Sequence, residues 1–259
     1  MHKSALNLDG AVNLRDLGGY RTAEGRRLRS GLLYRSGTLT HLSDSGQEDF
    51  HQLGIALICD LRRPDEREAE PTPFPLDKPA RLEIPIDPGS AVELRKRLEE
   101  TGLTLTERIH YMAGLTGELT REHAEDYITM FEGILNTTDG GFLVHCSAGK
   151  DRTGVAVALL LHALGVPKST VIEDYLLTNE CIDYEGYIVP KWLARFESQA
   201  PQAMPDKESV MALFGVREEY LHAAYAGIEA EFDDAEHYIR ERLGLDDQAL
   251  AELRRRYLD

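Results

Sequence analysis

Cysteine is scarce in this chain of 259 residues. There are three, Cys59, Cys146 and Cys181. They are too few and too unevenly placed for a disulfide framework or a metal knuckle, so a reducing compartment fits best. Positive charge is short as well, with 29 Lys and Arg against 45 Asp and Glu and a net charge of −16. Such a surface repels polyphosphate backbones, which argues against nucleic acid as a partner. Any anionic substrate must be drawn in by a local positive site. Long apolar runs are missing too. The most apolar stretch, 154–166, is too short to cross a bilayer and is broken by His162. The opening MHKSALNLDG has no apolar signal core. The expectation is a cytoplasmic chain without integral membrane contact, with signal-less secretion left open. The nucleotide-binding pattern G-x-x-x-x-G-K-[ST] is also absent, because Lys150 is followed by Asp151.

What is present is an ordinary globular composition, 42% hydrophobic and 29% charged, long enough for a sizeable core. IALICDL (55–61) and FLVHC (142–146) are continuous apolar runs that read as buried strands. LEIPID (82–87) is a further strand candidate, and another strand is expected near 31–35. Ser43 is placed to cap a helix that ends before Gly54, and Pro64 opens a short charged helix. A helix is expected over 121–136, and 152–165 reads as a helix apolar nearly all round, hence buried. Three helices are expected beyond the breaker at 199–206. Alternating strands and helices followed by helices predict an α/β fold, a central mostly parallel sheet flanked by helices.

The chemistry concentrates in residues 145–154, HCSAGKDRTG, between an apolar strand and a buried helix. The N–H groups of such a loop and of the helix start form an anion cradle, and Gly149 lets the backbone curl. Arg152 can grip two oxygens of a tetrahedral oxyanion. The same positive field favours the thiolate of Cys146, which then faces a cradled phosphate as a nucleophile. Cys59 and Cys181 lack such a loop and read as inert.

A leaving oxygen needs a proton donor. Ligands lie at the carboxyl ends of parallel strands, and three aspartates qualify: Asp87 ending strand 82–87, Asp151 inside the loop, and Asp60 near the end of strand 55–61. Asp60 can instead pair with an arginine such as Arg62. Asp151 can instead brace the loop, through backbone or Arg15. Lys150 is expected at the pocket rim, where it would favour substrates with more than one phosphate.

The loop resembles the H-C-x5-R-[ST] signature of the cysteine-dependent tyrosine and dual-specificity phosphatases. Its form HCxxGKDRTG resembles the atypical bacterial branch with secreted mycobacterial and listerial members. NLRDLGGY (13–20), LLYRSG (32–37), ICDLR (58–62), VIEDYLLTNE (171–180) and GVREEYL (215–221) extend the similarity over most of the chain.

The resemblance implies a single α/β domain over 1–259, a helical lid placed here at 91–120, a helical C-terminal extension over 206–259, and neither metal nor cofactor. It makes Cys146 the nucleophile and Arg152 the phosphate clamp. Ser147, Ala148, Gly149, Lys150, Asp151 and Arg152 supply the loop amides, which would also take phosphate, vanadate or sulfate. Thr153 would assist departure of the thiolate and His145 would orient the loop. Asp87 ranks first as the acid, Asp151 second and Asp60 third. The implied activity is hydrolysis of phosphotyrosine in proteins or peptides through phosphocysteine, with dual specificity allowed. Phosphoinositides are the alternative substrates, since C-x-x-G-K-x-R also resembles phosphoinositide phosphatases. A sulfurtransferase or arsenate reductase is a weaker alternative, because no resolving cysteine lies near the loop.

Overall fold

A computed structural model describes residues 5–73, 79–89, 103–190 and 206–259. The apolar runs become the middle of a five-stranded sheet. Its strands are β1 (Arg15–Asp16), β2 (Leu33–Ser36), β3 (Ile55–Asp60), β4 (Ala80–Glu83) and β5 (Gly141–His145). Their order is β1-β2-β5-β3-β4, antiparallel between β1 and β2 and parallel elsewhere. The register sets Ser36 and Asp60 on either side of His145. The residue after His145, Cys146, therefore leaves the carboxyl end of the central strand, where an open parallel sheet binds ligands.

Strand β4 ends earlier than LEIPID suggests. Pro85 has no N–H and cannot continue the ladder. The chain nevertheless keeps following β3, through Ile84 N–H to Asp60 O at 2.9 Å and Ile86 N–H to Leu61 O at 3.3 Å. That path brings Asp87 to the same end of the sheet as Cys146.

The helices follow their caps. Helix α1 (Asp44–Gln52) starts where the Ser43 side chain accepts from Gly46 N–H. Helix α2 (Pro64–Ala69) has proline in its first turn and Glu66 at its third position. Helices α3 (Leu105–Glu122) and α4 (Ala124–Asn136) lead into β5, and α5 (Asp151–Ala163) leaves the loop. Of its 13 residues, ten are buried, so α5 is the core helix behind the sheet. Helices α6 (Lys168–Leu176) and α7 (Thr178–Cys181) follow, then a π-helical turn (Tyr184–Ile188). Among the described residues, the remaining helices are α8 (Lys207–Phe214), α9 (Glu218–Glu229), α10 (Ala235–Glu241) and α11 (Asp247–Tyr257).

Two expectations concern these helices. Of the expected lid, 91–120, residues 91–102 lie outside the described residues. The rest is α3, whose inner face (Met112, Leu115, Leu119) is buried. It packs on α9: Thr120 Oγ1 donates to Ala224 O at 2.9 Å, and a Cβ on Gly227 would lie 3.1 Å from Gly117 O. Along this face 105–120 is a packed helical layer. The end of the helical C-terminal segment is tied to the N-terminal part of the chain. Leu258 bridges Leu28, and Arg26 donates to the carbonyls of Arg254, Leu258 and Asp259.

Candidate active site

The loop from Cys146 to Lys150 carries outward-facing carbonyls, each with a partner. His145 Nδ1 lies 3.3 Å from Cys146 O. The Thr38 N–H and the Tyr187 hydroxyl donate to Ser147 O at 2.9 and 3.1 Å. Asn13 Nδ2 donates to Ala148 O at 3.3 Å and to Gly149 O at 2.8 Å, and Arg35 adds a bond to Gly149 O at 2.7 Å. In a trans peptide the C=O and the following N–H point in opposite directions. Four outward carbonyls therefore turn four N–H groups, of Ser147, Ala148, Gly149 and Lys150, to the opposite side. Among the described residues, none of these N–H groups donates to a protein acceptor. The result is an anion cradle beside the Cys146 sulfur, built before any anion arrives.

Gly149 is indispensable to this curl. Its φ is +67°, and a Cβ there would lie 2.3 Å from Ser36 O. Asn13, which braces the outer side, also has positive φ (52°) and is buried, a conformation that asparagine tolerates better than most residues.

Arg152, in the first turn of α5, is held by its Nη atoms. Nη1 donates to Glu66 Oε2 at 2.7 Å, to Leu61 O at 3.2 Å and to Ile86 O at 3.3 Å; Nη2 donates to Glu66 Oε1 at 2.8 Å. The same Glu66 accepts the Ser147 hydroxyl at 2.6 Å. Despite its burial, Glu66 is held far below the usual carboxylate range by Arg152 and Ser147, and Arg152 is held above its own usual value by Glu66. Both stay charged at any working pH, so the grip persists.

The other expected residues fall as follows. His145 is fully buried, its Nε2 is 3.6 Å from Asp60 Oδ2, and burial lowers its pKa to about 4. A neutral ring with its proton on Nδ1 donates to the Cys146 carbonyl and is no base. Thr153 Oγ1 is buried with no hydrogen-bond partner. Asp87 sits at the rim, half exposed, 3.5 Å from Arg63 Nη1 and next to the Ile86 carbonyl that binds Arg152. Asp151 Oδ2 lies 3.3 Å from Lys150 Nζ, while its Oδ1 is buried without a partner.

Asp60 takes the arginine pairing that the sequence offered, and two expectations, on Lys150 and Arg15, are corrected. Asp60 is buried and occupied by Arg62, whose Nε, Nη2 and backbone N–H all donate to it, so it is a structural carboxylate rather than an acid candidate. Lys150 is not at the rim. Its ammonium is buried against the carbonyls of Leu213 and Gly215, where a flexible cation finds the acceptors at the end of α8. Arg15 does not reach Asp151 and bonds Asp174 instead.

Sequence reasoning missed Glu66, Arg35, Asn13 and Asp174 as site residues. A signal was available for Arg35, a charge at the end of the strand expected near 31–35. Nothing in the order of residues pairs Glu66 with an arginine 86 positions later.

Comparison with known proteins decides the family. Residues 6–259 match the tyrosine phosphatase family. The chain belongs to that family. It is 34% identical over 259 residues to a Cupriavidus necator protein assigned by name to the tyrosine-protein phosphatases, covering 98% of this chain and 88% of that one. It is 28% identical over 263 residues to the triple specificity protein phosphatase PtpB of Mycobacterium tuberculosis, covering 90% and 92%. A tyrosine-protein phosphatase of Nostoc commune is 27% identical over 223 residues, covering 85% and 72%. Among the described residues, no group of three or more His, Cys, Asp or Glu is placed to hold a metal ion, and no helix is long and apolar enough to cross a membrane.

Proposed function

We propose that this tyrosine phosphatase family member hydrolyses phosphotyrosine in proteins through a phosphocysteine on Cys146. The reading rests on the row of outward carbonyls that leaves four N–H groups free to take an anion beside Cys146. The Cys146 thiolate attacks phosphorus, forming S–P as the ester P–O bond breaks, and the tyrosyl oxygen leaves with a proton from a carboxylic acid. Water then attacks phosphorus, S–P breaks, and the carboxylate recovers a proton from the water. Arg152 and the loop amides hold the three non-bridging oxygens throughout. Thr153, with its unbonded buried hydroxyl, donates to the sulfur as it departs. Asp87 is assigned as the acid because the rim position lets a leaving group reach it; Asp151 is second.

Substrate breadth is the open dimension. The phosphoinositide alternative rests on the resemblance of C-x-x-G-K-x-R, while the Lys150 ammonium, expected at the rim, is turned to the carbonyls of Leu213 and Gly215. The name given to the mycobacterial relative, triple specificity, keeps broader phosphoester substrates in the test. Turnover should be measured on p-nitrophenyl phosphate, phosphotyrosine and phosphoserine peptides, and phosphoinositide vesicles, with thiosulfate and arsenate as controls. The expected order places phosphotyrosine peptide first, and arsenate reduction or sulfur transfer exceeding it would overturn the assignment. Orthovanadate and phosphate are expected to compete with substrate.

A further inference from the structure

Behind the loop, away from the substrate side, lies a charged cluster that the reaction steps above do not use. Arg15 and Arg35 are both fully buried, and so is Asp174. Arg35 Nη1 donates to Asp174 Oδ2 at 2.6 Å; Arg15 Nη2 donates to Asp174 O at 3.1 Å and lies 3.6 Å from Oδ2. Tyr20 donates its hydroxyl to Asp174 Oδ1 at 2.9 Å. Two guanidiniums thus share one carboxylate, leaving one positive charge in excess. Arg15 Nε and Nη1 and Arg35 Nε are buried with no hydrogen-bond partner.

A buried excess charge is costly unless something nearby uses it. Arg35 Nη2 donates to Gly149 O, the carbonyl whose orientation turns the Lys150 N–H into the cradle.

We propose that Arg35, with Arg15 and Asp174, is a positioning and charge-supplying cluster that holds the Gly149 peptide in its anion-binding orientation and favours negative charge in the cradle, on both thiolate and phosphate. This rests on Cys146 being the reactive thiol. The other charged side chains of the loop and of the segments around it are paired. Arg152 from α5 is paired with Glu66 from α2, Asp151 with Lys150, Asp60 with Arg62, and Asp87 with Arg63 at the rim. Tyr127 from α4 is fully buried and its hydroxyl is held neutral, its pKa pushed well above the ordinary value. The excess at Arg15 and Arg35 is the unmatched term.

The test is the pH midpoint for iodoacetamide alkylation of Cys146 in the full chain, read by peptide mass so that Cys59 and Cys181 do not contribute. Inorganic phosphate binding is measured on the same proteins. Arg35→Met leaves a neutral Arg15–Asp174 pair and should raise the midpoint by about one pH unit and weaken phosphate about tenfold. Asp174→Asn enlarges the excess and should lower the midpoint. Arg35→Lys keeps the charge without the fork, so phosphate weakens while the midpoint stays near wild type. Opposite shifts for Arg35→Met and Asp174→Asn support the cluster. Equal or absent shifts with unchanged phosphate binding overturn it, since a merely structural role changes melting temperature alone. If Arg35→Met does not fold, the Asp174→Asn midpoint and the Arg35→Lys phosphate affinity decide by the same criteria. Wild-type enzyme that keeps turning over after Cys146 is fully alkylated would instead overturn the nucleophile assignment.

Discussion

Glu66 is the residue on which the active geometry turns, because one carboxylate binds both Nη atoms of Arg152 and the Ser147 hydroxyl. Glu66→Gln keeps the shape but turns one acceptor into a donor, which cannot face an arginine N–H. The expected result is a kcat lowered about tenfold or more, without a rise in KM, because the lost carboxylate also repelled the substrate's phosphate. Unchanged kcat would make the pair incidental. The acid is decided by a leaving-group series. Asp87→Asn should hurt alkyl and weakly acidic phenyl esters most and p-nitrophenyl phosphate least, because good leaving groups depart unprotonated. Asp151→Asn should depress all substrates alike if it only steadies the loop. The steep dependence appearing in Asp151→Asn alone would move the acid into the loop.

At the scale of elements, the strand–loop–helix is the least tolerant unit. Gly149→Ala places a methyl 2.3 Å from Ser36 O at a backbone angle of +67°. The loop must open, and activity is expected to fall at least about a hundredfold while the helices keep their circular dichroism. Near-normal turnover would mean the curl is dispensable. This unit was legible in the sequence because its signals are local: an apolar strand, a glycine, and a helix start within ten residues. Strands β3 and β5 were legible for the same reason. The end of β4 was misjudged because the pattern of LEIPID shows its apolar side chains and not the missing N–H of Pro85. Lys150 and Arg15 were misplaced because their partners, at Leu213 and Asp174, come from helices far along the chain. Side-chain direction across such distances is set by packing, which residue order does not encode locally.

For the molecule as a whole, burial of histidine fixes the acid limit of stability. His145 and the partly buried His162 both have pKa values lowered by burial to about 4, against 6.5 when unfolded. Between those values the unfolded chain takes up protons that the native state refuses. Native stability is therefore full above about pH 6.5 and falls as pH drops toward 4, by at most about 1.4 kcal/mol per pH unit for each histidine. Below that, protonation of Asp174 and Asp60, both held under their ordinary values by arginines among other partners, removes more. Denaturant midpoints at about pH 7, 5.5 and 4.5, one above the range and two within it, check this, and a flat profile would contradict it. The central claim, however, is covalent. Rapid acid quench of enzyme mixed with a phosphotyrosine peptide, followed by peptide mass analysis, should find one phosphoryl group on the peptide containing Cys146, absent in Cys146→Ser. Full turnover with that peptide never phosphorylated, or with Cys146→Ser still active, would contradict the account.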